Sequence, residues 1–428
     1  MKTLVINKQE HTRVPFLRGI LIRNLISSGL PFDQSFELAN QVRTALADTD
    51  EISTQHLRKL VDGLLGASCE QSILAQYRAP ASAPTRIKVI DLNGTESAFS
   101  RGKHQRYLQS SAIRAGDAEQ ITNSIYNQLL ASGVSSITTR QLGYLTYLCL
   151  QQELGKTEAS QYLGWTEFQH SDRPLLLLIC GAVGSGKSSI ANEIGHRLDI
   201  VRTQSTDMLR EVMRSMIPRK LMPVLHCSSF DAWRTLPIQD KKDRNKDLLV
   251  AEGYRVQTDL LALACEAVML RAIRESTPLI LEGVHVHPSL VQTLPRDTDA
   301  VVVHVTLGVM QEKELKARLL GRGTNEPRRR ARKYLNKFDS IWRLQSVVLS
   351  EAERCDTPII PNVDRETAIF QLISVVNQEV SRHFHGSPAA VFGGIVGRTR
   401  KQVTGKAWQR SVPLLTKAGK PVRARPSR

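Results

Sequence analysis

The run Gly181-Ala182-Val183-Gly184-Ser185-Gly186-Lys187-Ser188 carries the clearest chemistry in this chain. It fits G-x-x-x-x-G-K-[ST], follows an apolar stretch over 175–179 and opens an amphipathic one over 187–198, so strand, loop and helix are expected in that order. Glycines let the backbone double back with its N–H groups turned inward, and the free donors of the helix start join them around phosphate oxygens. Gly181, Gly184, Ser185, Gly186 and Ser189 would shape that cradle. Lys187 would sit on the β- and γ-phosphates, and the Ser188 hydroxyl on Mg²⁺.

A phosphate cradle alone leaves several nucleotide enzymes open, and the acids near it narrow the choice. The strand expected over 200–204 ends in Ser205-Thr206-Asp207, with Arg210 and Arg214 following on a helix. An acid in that place can orient an acceptor hydroxyl or take its proton. Thr-Asp before an amphipathic run is also helix-capping chemistry, and the two roles are compatible. Glu282-Gly283 closes another apolar strand, where an acid reaches magnesium or its bound water. His285 and His287 alternate on an extended segment. They suit a substrate-facing or structural role, since no third metal ligand stands nearby in sequence.

Further on, Lys316, Arg318, Arg322, Arg328, Arg329, Arg330, Arg332 and Lys333 crowd one stretch. A planar guanidinium grips phosphate through two parallel hydrogen bonds, so Arg318 and Arg322 are candidates to close over the transferring group. A solvated charged helix face is the alternative for the rest.

These groups need elements to hold them. At 428 residues the chain predicts two to four domains at roughly 100 to 200 residues each. Its 41% hydrophobic and 23% charged residues are ordinary for folded domains. Apolar runs such as 174–180 are far short of the roughly 20 residues that span a bilayer. With no extended apolar segment at the start, the reading is cytoplasmic, without a membrane partner. Six cysteines without a C-x-x-C pair indicate neither zinc nor a disulfide framework.

From about residue 171, apolar runs alternate with amphipathic helices, the texture of an α/β parallel sheet. Strands are expected over 175–179, 200–204, 278–281, 300–305 and 358–360, and helices over 187–198, 247–275, 331–353 and 364–384. Upstream lies a repeat. Phe16-Leu17-Arg18-Gly19 recurs as Phe99-Ser100-Arg101-Gly102, and Ile52-Ser53-Thr54 as Ile137-Thr138-Thr139. Phe32, Phe36, Ala39, Val42 and Leu46 mark a helix in the first copy, and Thr54 and Thr139 could each cap the next one. Residues 78–85, rich in Ala and Pro, read as the linker between copies.

The net charge of +17 is unevenly placed. Residues 386–428 hold ten Lys and Arg and no acid, which reads as a flexible basic tail, either simply solvated or touching a polyanion.

Each copy of the repeat resembles the ATP-cone module, a small helical nucleotide-binding domain. That likeness implies a nucleotide effector, and a packing or dimerisation module without ligand is the alternative. Over most of residues 1–384 the chain resembles the 2-phosphoglycerate kinase family. The matching residues are Arg13-Val14-Pro15-Phe16-Leu17-Arg18-Gly19, the P-loop, Ser205-Thr206-Asp207-Met208-Leu209-Arg210, Leu225-His226-Cys227-Ser228-Ser229-Phe230-Asp231-Ala232-Trp233, Glu282-Gly283-Val284-His285, and Tyr334-Leu335 to Phe338-Asp339.

The resemblance implies a P-loop NTPase parallel sheet, adenylate-kinase-like; with two cone-like modules before it the expected division is residues 1–77, 86–170, 171–385 and a tail over 386–428, the second module and the tail being additions to the family's layout. It also implies transfer of the γ-phosphoryl group of ATP, with Mg²⁺, to a small phosphorylated hydroxy acid. Lys187, Asp207, Arg318 and Arg322 would act on the transfer. Arg210, Arg214, His226, Ser228, Ser229 and His285 would hold the acceptor, and Ser188 and Glu282 the metal. Kinases for other phosphorylated metabolites, or an ATP-sensing regulator that binds nucleic acid, are the alternative readings.

Overall fold

A computed structural model describes residues 3–7, 12–16, 18–27, 30–47, 49–68, 87–131, 134–237, 245–325 and 334–396. The linker expected over 78–85 and the arginines at 328–332 lie outside the described residues. Two compact units divide the chain, one of residues 1–87 with 133–135, the other of 88–132 with 136–428.

In the first unit β1 (Leu4–Asn7) and β2 (Thr12–Pro15) form an antiparallel hairpin, followed by α1 (Arg18–Ser27) and α2 (Phe32–Ala45). The chain then returns as β3 (Glu51–Ser53), parallel to β1, and ends in α3 (Thr54–Ser68). Leu21, Leu25, Leu38, Val42, Val61 and Leu65 pack its core. Phe32 and Phe36, expected on the inner stripe of α2, are exposed instead, and the Arg18 guanidinium covers the Phe36 ring at 4.7 Å.

The second copy opens the other unit with the same order and pairing. β4 (Lys88–Ile90) and β5 (Glu96–Ala98) make the hairpin, α4 (Arg101–Ser110) and α5 (Ala115–Ala131) follow, and β6 (Ser136–Thr138) lies parallel to β4. α6 (Thr139–Glu153) and α7 (Lys156–Gln169) complete it. The duplication extends to side chains: Arg18 donates to Asn40 at 2.6 Å, and Arg101 to Asn123 at 3.4 Å. The caps fall one residue before the expected threonines. Ser53 Oγ accepts from the His56 N–H, and Thr138 forms a capping box with Gln141. A cap stays extended while its successor turns helical, so Thr54 and Thr139 are the first helical residues.

The main sheet follows: β7 (Leu175–Gly181), α8 (Lys187–Arg197), β8 (Arg202–Ser205), α9 (Thr206–Met216), short 3-10 turns at Pro223–His226 and Ser229–Thr235, and α10 (Lys246–Arg274). Then come β9 (Leu279–Gly283), β10 (Val301–Gly308), α11 (Glu312–Asn325), α12 (Phe338–Arg354), β11 (Ile359–Pro361), α13 (Arg365–His383) and α14 (Pro388–Phe392). All five strands are parallel, ordered β11-β10-β7-β9-β8. The strand that feeds the P-loop is therefore central, at the point where the winding changes side. Ligands of open α/β sheets bind beyond the carboxyl ends of the strands at such a point.

Period-two alternation sorts β7 between two cores. Leu175, Leu177 and Ile179 pack with Ile190, Ile194, Ile369 and Leu372 on one face. Leu176, Leu178 and Cys180 pack with Val250, Tyr254, Ile341 and Leu344 on the other. Burial on both faces explains why the strand is a continuous apolar run.

The boundary expected at residue 170 is crossed by a shared core, since Ala112, Trp165 and Phe168 belong to the same cluster as the sheet. The junction is also hydrogen-bonded. Ser110 Oγ donates to the Arg197 carbonyl at the end of α8, and Asn377 donates to the Ser110 carbonyl, both at 2.8 Å. The expected tail is corrected at its start as well. Residues 388–392 are helical, and Phe392 is buried against Tyr144 because an aromatic ring gains more from that contact than from solvent. The charged positions from Arg398 onward lie outside the described residues. Among the described residues, no helix is long and apolar enough to cross a membrane.

Candidate active site

The loop after β7 takes the shape its glycines permit. Gly184 and Gly186 have φ of +89° and +88°, a region that side-chain-bearing residues seldom occupy. Gly186 caps α8 in the left-handed conformation, so the first N–H groups of that helix are left without carbonyl partners inside it. Lys187 opens the helix only 6% exposed, and among the described residues no carboxylate is paired with it. A buried, unpaired ammonium beside free amide donors suits a polyanion.

Across from it, at the end of β9, Glu282 is also 6% exposed. Its Oε1 accepts from the Ser188 hydroxyl at 3.0 Å, while Oε2 is buried with no partner. An orphaned carboxylate oxygen next to a hydroxyl is an oxygen-rich corner that fits Mg²⁺. Ser188 and Glu282, chosen separately from sequence, are thus brought together.

Asp207 stands in the first turn of α9, but the cap is Ser205, whose hydroxyl accepts from the Asp207 N–H. The carboxylate is therefore not used as the cap, and it lies 3.6 Å from the Arg210 guanidinium. Arg210 also donates to the Cys227 carbonyl, which ties α9 to the turn carrying His226 and Ser228, and its Nε is buried without a partner. His226 Nε2 is 2.9 Å from the Ile217 carbonyl. Arg214 pairs with Glu211 on the surface of the same helix.

Ser229 and His285 are buried and spend their polar atoms on one network. Gln257 donates its amide hydrogens to the Val224 and Cys227 carbonyls at 2.6 and 3.2 Å, which turns its Oε1 toward His285 Nε2 at 2.9 Å. An amide oxygen only accepts, so the imidazole proton resides on Nε2, and Nδ1 accepts from the Thr206 hydroxyl at 3.1 Å. Ser229 Oγ lies 3.2 Å from Nε2. Complete burial pushes the His285 pKa down to about 3, with Arg210 and Lys187 adding to the fall and Asp207 opposing it. The ring is a neutral strut joining the start of α9, the segment after β9, α10 and the turn at residue 229, and Lys187, Asp207 and Arg210 all lie within its electrostatic reach.

Arg318 reaches the P-loop side of the sheet, yet its guanidinium is taken: it pairs with Glu314 and donates to the Asn362 carbonyl. Arg322 is on the same helix, and its side chain lies outside those described. Next to the P-loop a cavity of about 350 Å³ is bounded by Gly184, Gly186, Ser188, Arg318, Asn362 and Arg365.

Asn362, Gln257 and Thr206 were not singled out in the sequence. Gln257 had a signal, being a polar residue on the stripe Val250, Tyr254, Leu261 and Cys265 of a buried helix face. Asn362 had a weaker one, its place just past the last expected strand.

Comparison with known proteins gives one consistent picture. The chain is 31% identical over 294 residues to a 2-phosphoglycerate kinase of Pyrococcus furiosus, covering 68% of this chain and 94% of that one. It is 32% identical over 286 residues to a protein of the same name from Methanopyrus kandleri, covering 67% and 85%. A third, from Thermococcus kodakarensis, is 34% identical over 276 residues, covering 64% and 91%. No protein-family profile matches.

Proposed function

The chain belongs to the 2-phosphoglycerate kinase family, and from that membership we propose that it transfers the γ-phosphoryl group of ATP to the free hydroxyl of 2-phosphoglycerate, giving ADP and 2,3-bisphosphoglycerate. The observation that carries the donor half is the Ser188–Glu282 pair with its orphaned Oε2 beside an unpaired, buried Lys187. Bound Mg²⁺ would neutralise charge on the phosphate oxygens, held by Ser188 and Glu282 directly or through water.

The protein's own groups do the rest. The P-loop N–H groups and Lys187 bind the triphosphate and offset the charge that builds on the leaving oxygen. On the acceptor side, Asp207 orients the hydroxyl and receives its proton as the oxygen bonds to phosphorus. Arg210, held between Asp207 and the Cys227 carbonyl, presents a cation to the acceptor's carboxylate or phosphate, with Arg214, His226 and Ser228 flanking it. His285 and Ser229 serve by holding the two acids in register from below. Arg322 is proposed to shield the transfer when the nucleotide is bound, whereas Arg318 is already engaged by Glu314 and the Asn362 carbonyl.

The test is product identification. Purified protein, ATP and Mg²⁺ are incubated with a panel of phosphorylated hydroxy acids, and phosphorus NMR follows the new phosphomonoester. A bisphosphorylated three-carbon acid from 2-phosphoglycerate supports the reading. Turnover of a different acceptor, with 2-phosphoglycerate inert, contradicts the substrate assignment.

A further inference from the structure

Asn362 follows β11 at the carboxyl edge of the sheet and is 6% exposed. Its side-chain amide donates to the Ser185 carbonyl inside the P-loop at 2.7 Å, a bond between residues remote in sequence. The amide has little freedom to leave. The Asn362 N–H donates to the Gly308 carbonyl at 2.9 Å, and its own carbonyl accepts from Arg318, which Glu314 anchors one helical turn away. Nδ2 also lies so close over Gly186 that a Cβ there would run into it.

A peptide unit is planar, with its carbonyl and its N–H on opposite sides. Fixing the Ser185 carbonyl toward Asn362 therefore aims the Gly186 N–H the other way, toward the space that phosphate would fill. A glycine at φ +88° resists peptide rotation less than any other residue, so this plane needs an outside hold. We propose that Asn362 is a positioning residue for the phosphoryl donor, locking the 185–186 peptide of the P-loop in its phosphate-receiving orientation, with Arg318 acting through it. The inference rests on the kinase reading for the identity of the ligand, but not on the identity of the acceptor.

The full-length protein is titrated with ADP and Mg²⁺ by calorimetry, without acceptor, for the wild type, Asn362→Ala and Asn362→Asp. The aspartate has nearly the same size but, ionised, cannot donate, so it separates the hydrogen bond from space filling. Both variants should bind ADP about tenfold more weakly, the scale of one lost hydrogen bond. In turnover, KM for ATP should rise while KM for the acceptor stays put.

Arg318→Ala should weaken ADP in the same sense, and the double variant Asn362→Ala with Arg318→Ala should lose no more than the worse single one. Unchanged ADP affinity in the Asn362 variants overturns the proposal. So do losses that multiply in the double variant, because Arg318 would then act on the nucleotide independently. If either Asn362 variant fails to fold, Arg318→Ala decides alone: unaltered ADP affinity in it refutes the relay. A wild type that binds ADP but phosphorylates no acceptor would refute the kinase reading while leaving this test intact.

Discussion

The Ser188 hydroxyl donates to Oε1 of Glu282 at 3.0 Å, and the other oxygen of that carboxylate is buried without a partner. Two strands meet here, since Ser188 lies in the first turn of the helix after β7 and Glu282 near the end of β9. Glu282→Gln keeps the shape and can still engage the hydroxyl, but removes the charge. Turnover should fall by roughly 10²- to 10³-fold, the usual cost of removing one preorganised electrostatic group, while the melting temperature hardly moves. Rates measured across a Mg²⁺ titration check it: the variant should need more Mg²⁺ to reach its maximum rate, and a variant as fast as the wild type at every Mg²⁺ concentration would contradict the assignment.

Gln257 ties His285 to the turn that carries His226 and Ser228. Replacing it with leucine strips the His285 Nε2–H of its 2.9 Å partner and leaves the Val224 and Cys227 carbonyls without its two donors. The three groups keep second partners in Arg210, Cys227 Sγ and Ser229, so Gln257→Leu should lose about 1–3 kcal/mol in urea denaturation, the cost of one poorly satisfied buried group. Its KM for the acceptor should rise more than its KM for ATP, because the turn carrying His226 and Ser228 hangs from those carbonyls.

Stability should fall as the solution is acidified from pH 7 toward pH 5. Burial pushes His104 and His304 down to about 4, and His285 to about 3. In the unfolded chain these rings take up protons below about pH 6.5, while the native ones stay neutral. Protonation thus favours the unfolded state over this window, by up to about 1.4 kcal/mol per pH unit for each ring. Urea midpoints between pH 7 and 5 measure the slope, and His304→Gln should make it shallower by one proton. A flat profile would mean that water reaches these rings.

Much of this was legible because it is local. A P-loop is eight contiguous residues, and a strand buried on both faces writes itself as Leu175 to Ile179 without a polar break. The acids at 207 and 282 could be picked out because each sits at or just past the carboxyl end of a strand. What sequence could not carry was pairing at a distance. Arg318 looked like a free phosphate-gripping arginine, and only the fold shows Glu314 and the Asn362 carbonyl already on it. His285 and Ser229 looked like acceptor ligands, and only the fold shows Gln257 and Thr206 reaching His285 from elsewhere, with Ser229 beside its Nε2. Likewise Phe392 sat in a stretch whose charge dominated its reading, although one buried ring against Tyr144 decides its local structure.

The central claim is that phosphoryl transfer from ATP occurs at the cradle of Lys187. ADP release with ATP, Mg²⁺ and 2-phosphoglycerate should be measured for the wild type and for Lys187→Ala side by side. The account predicts acceptor-dependent release in the wild type, reduced at least about a hundredfold in the variant. Equal rates in the two proteins, or release that no phosphorylated hydroxy acid accelerates, would contradict it.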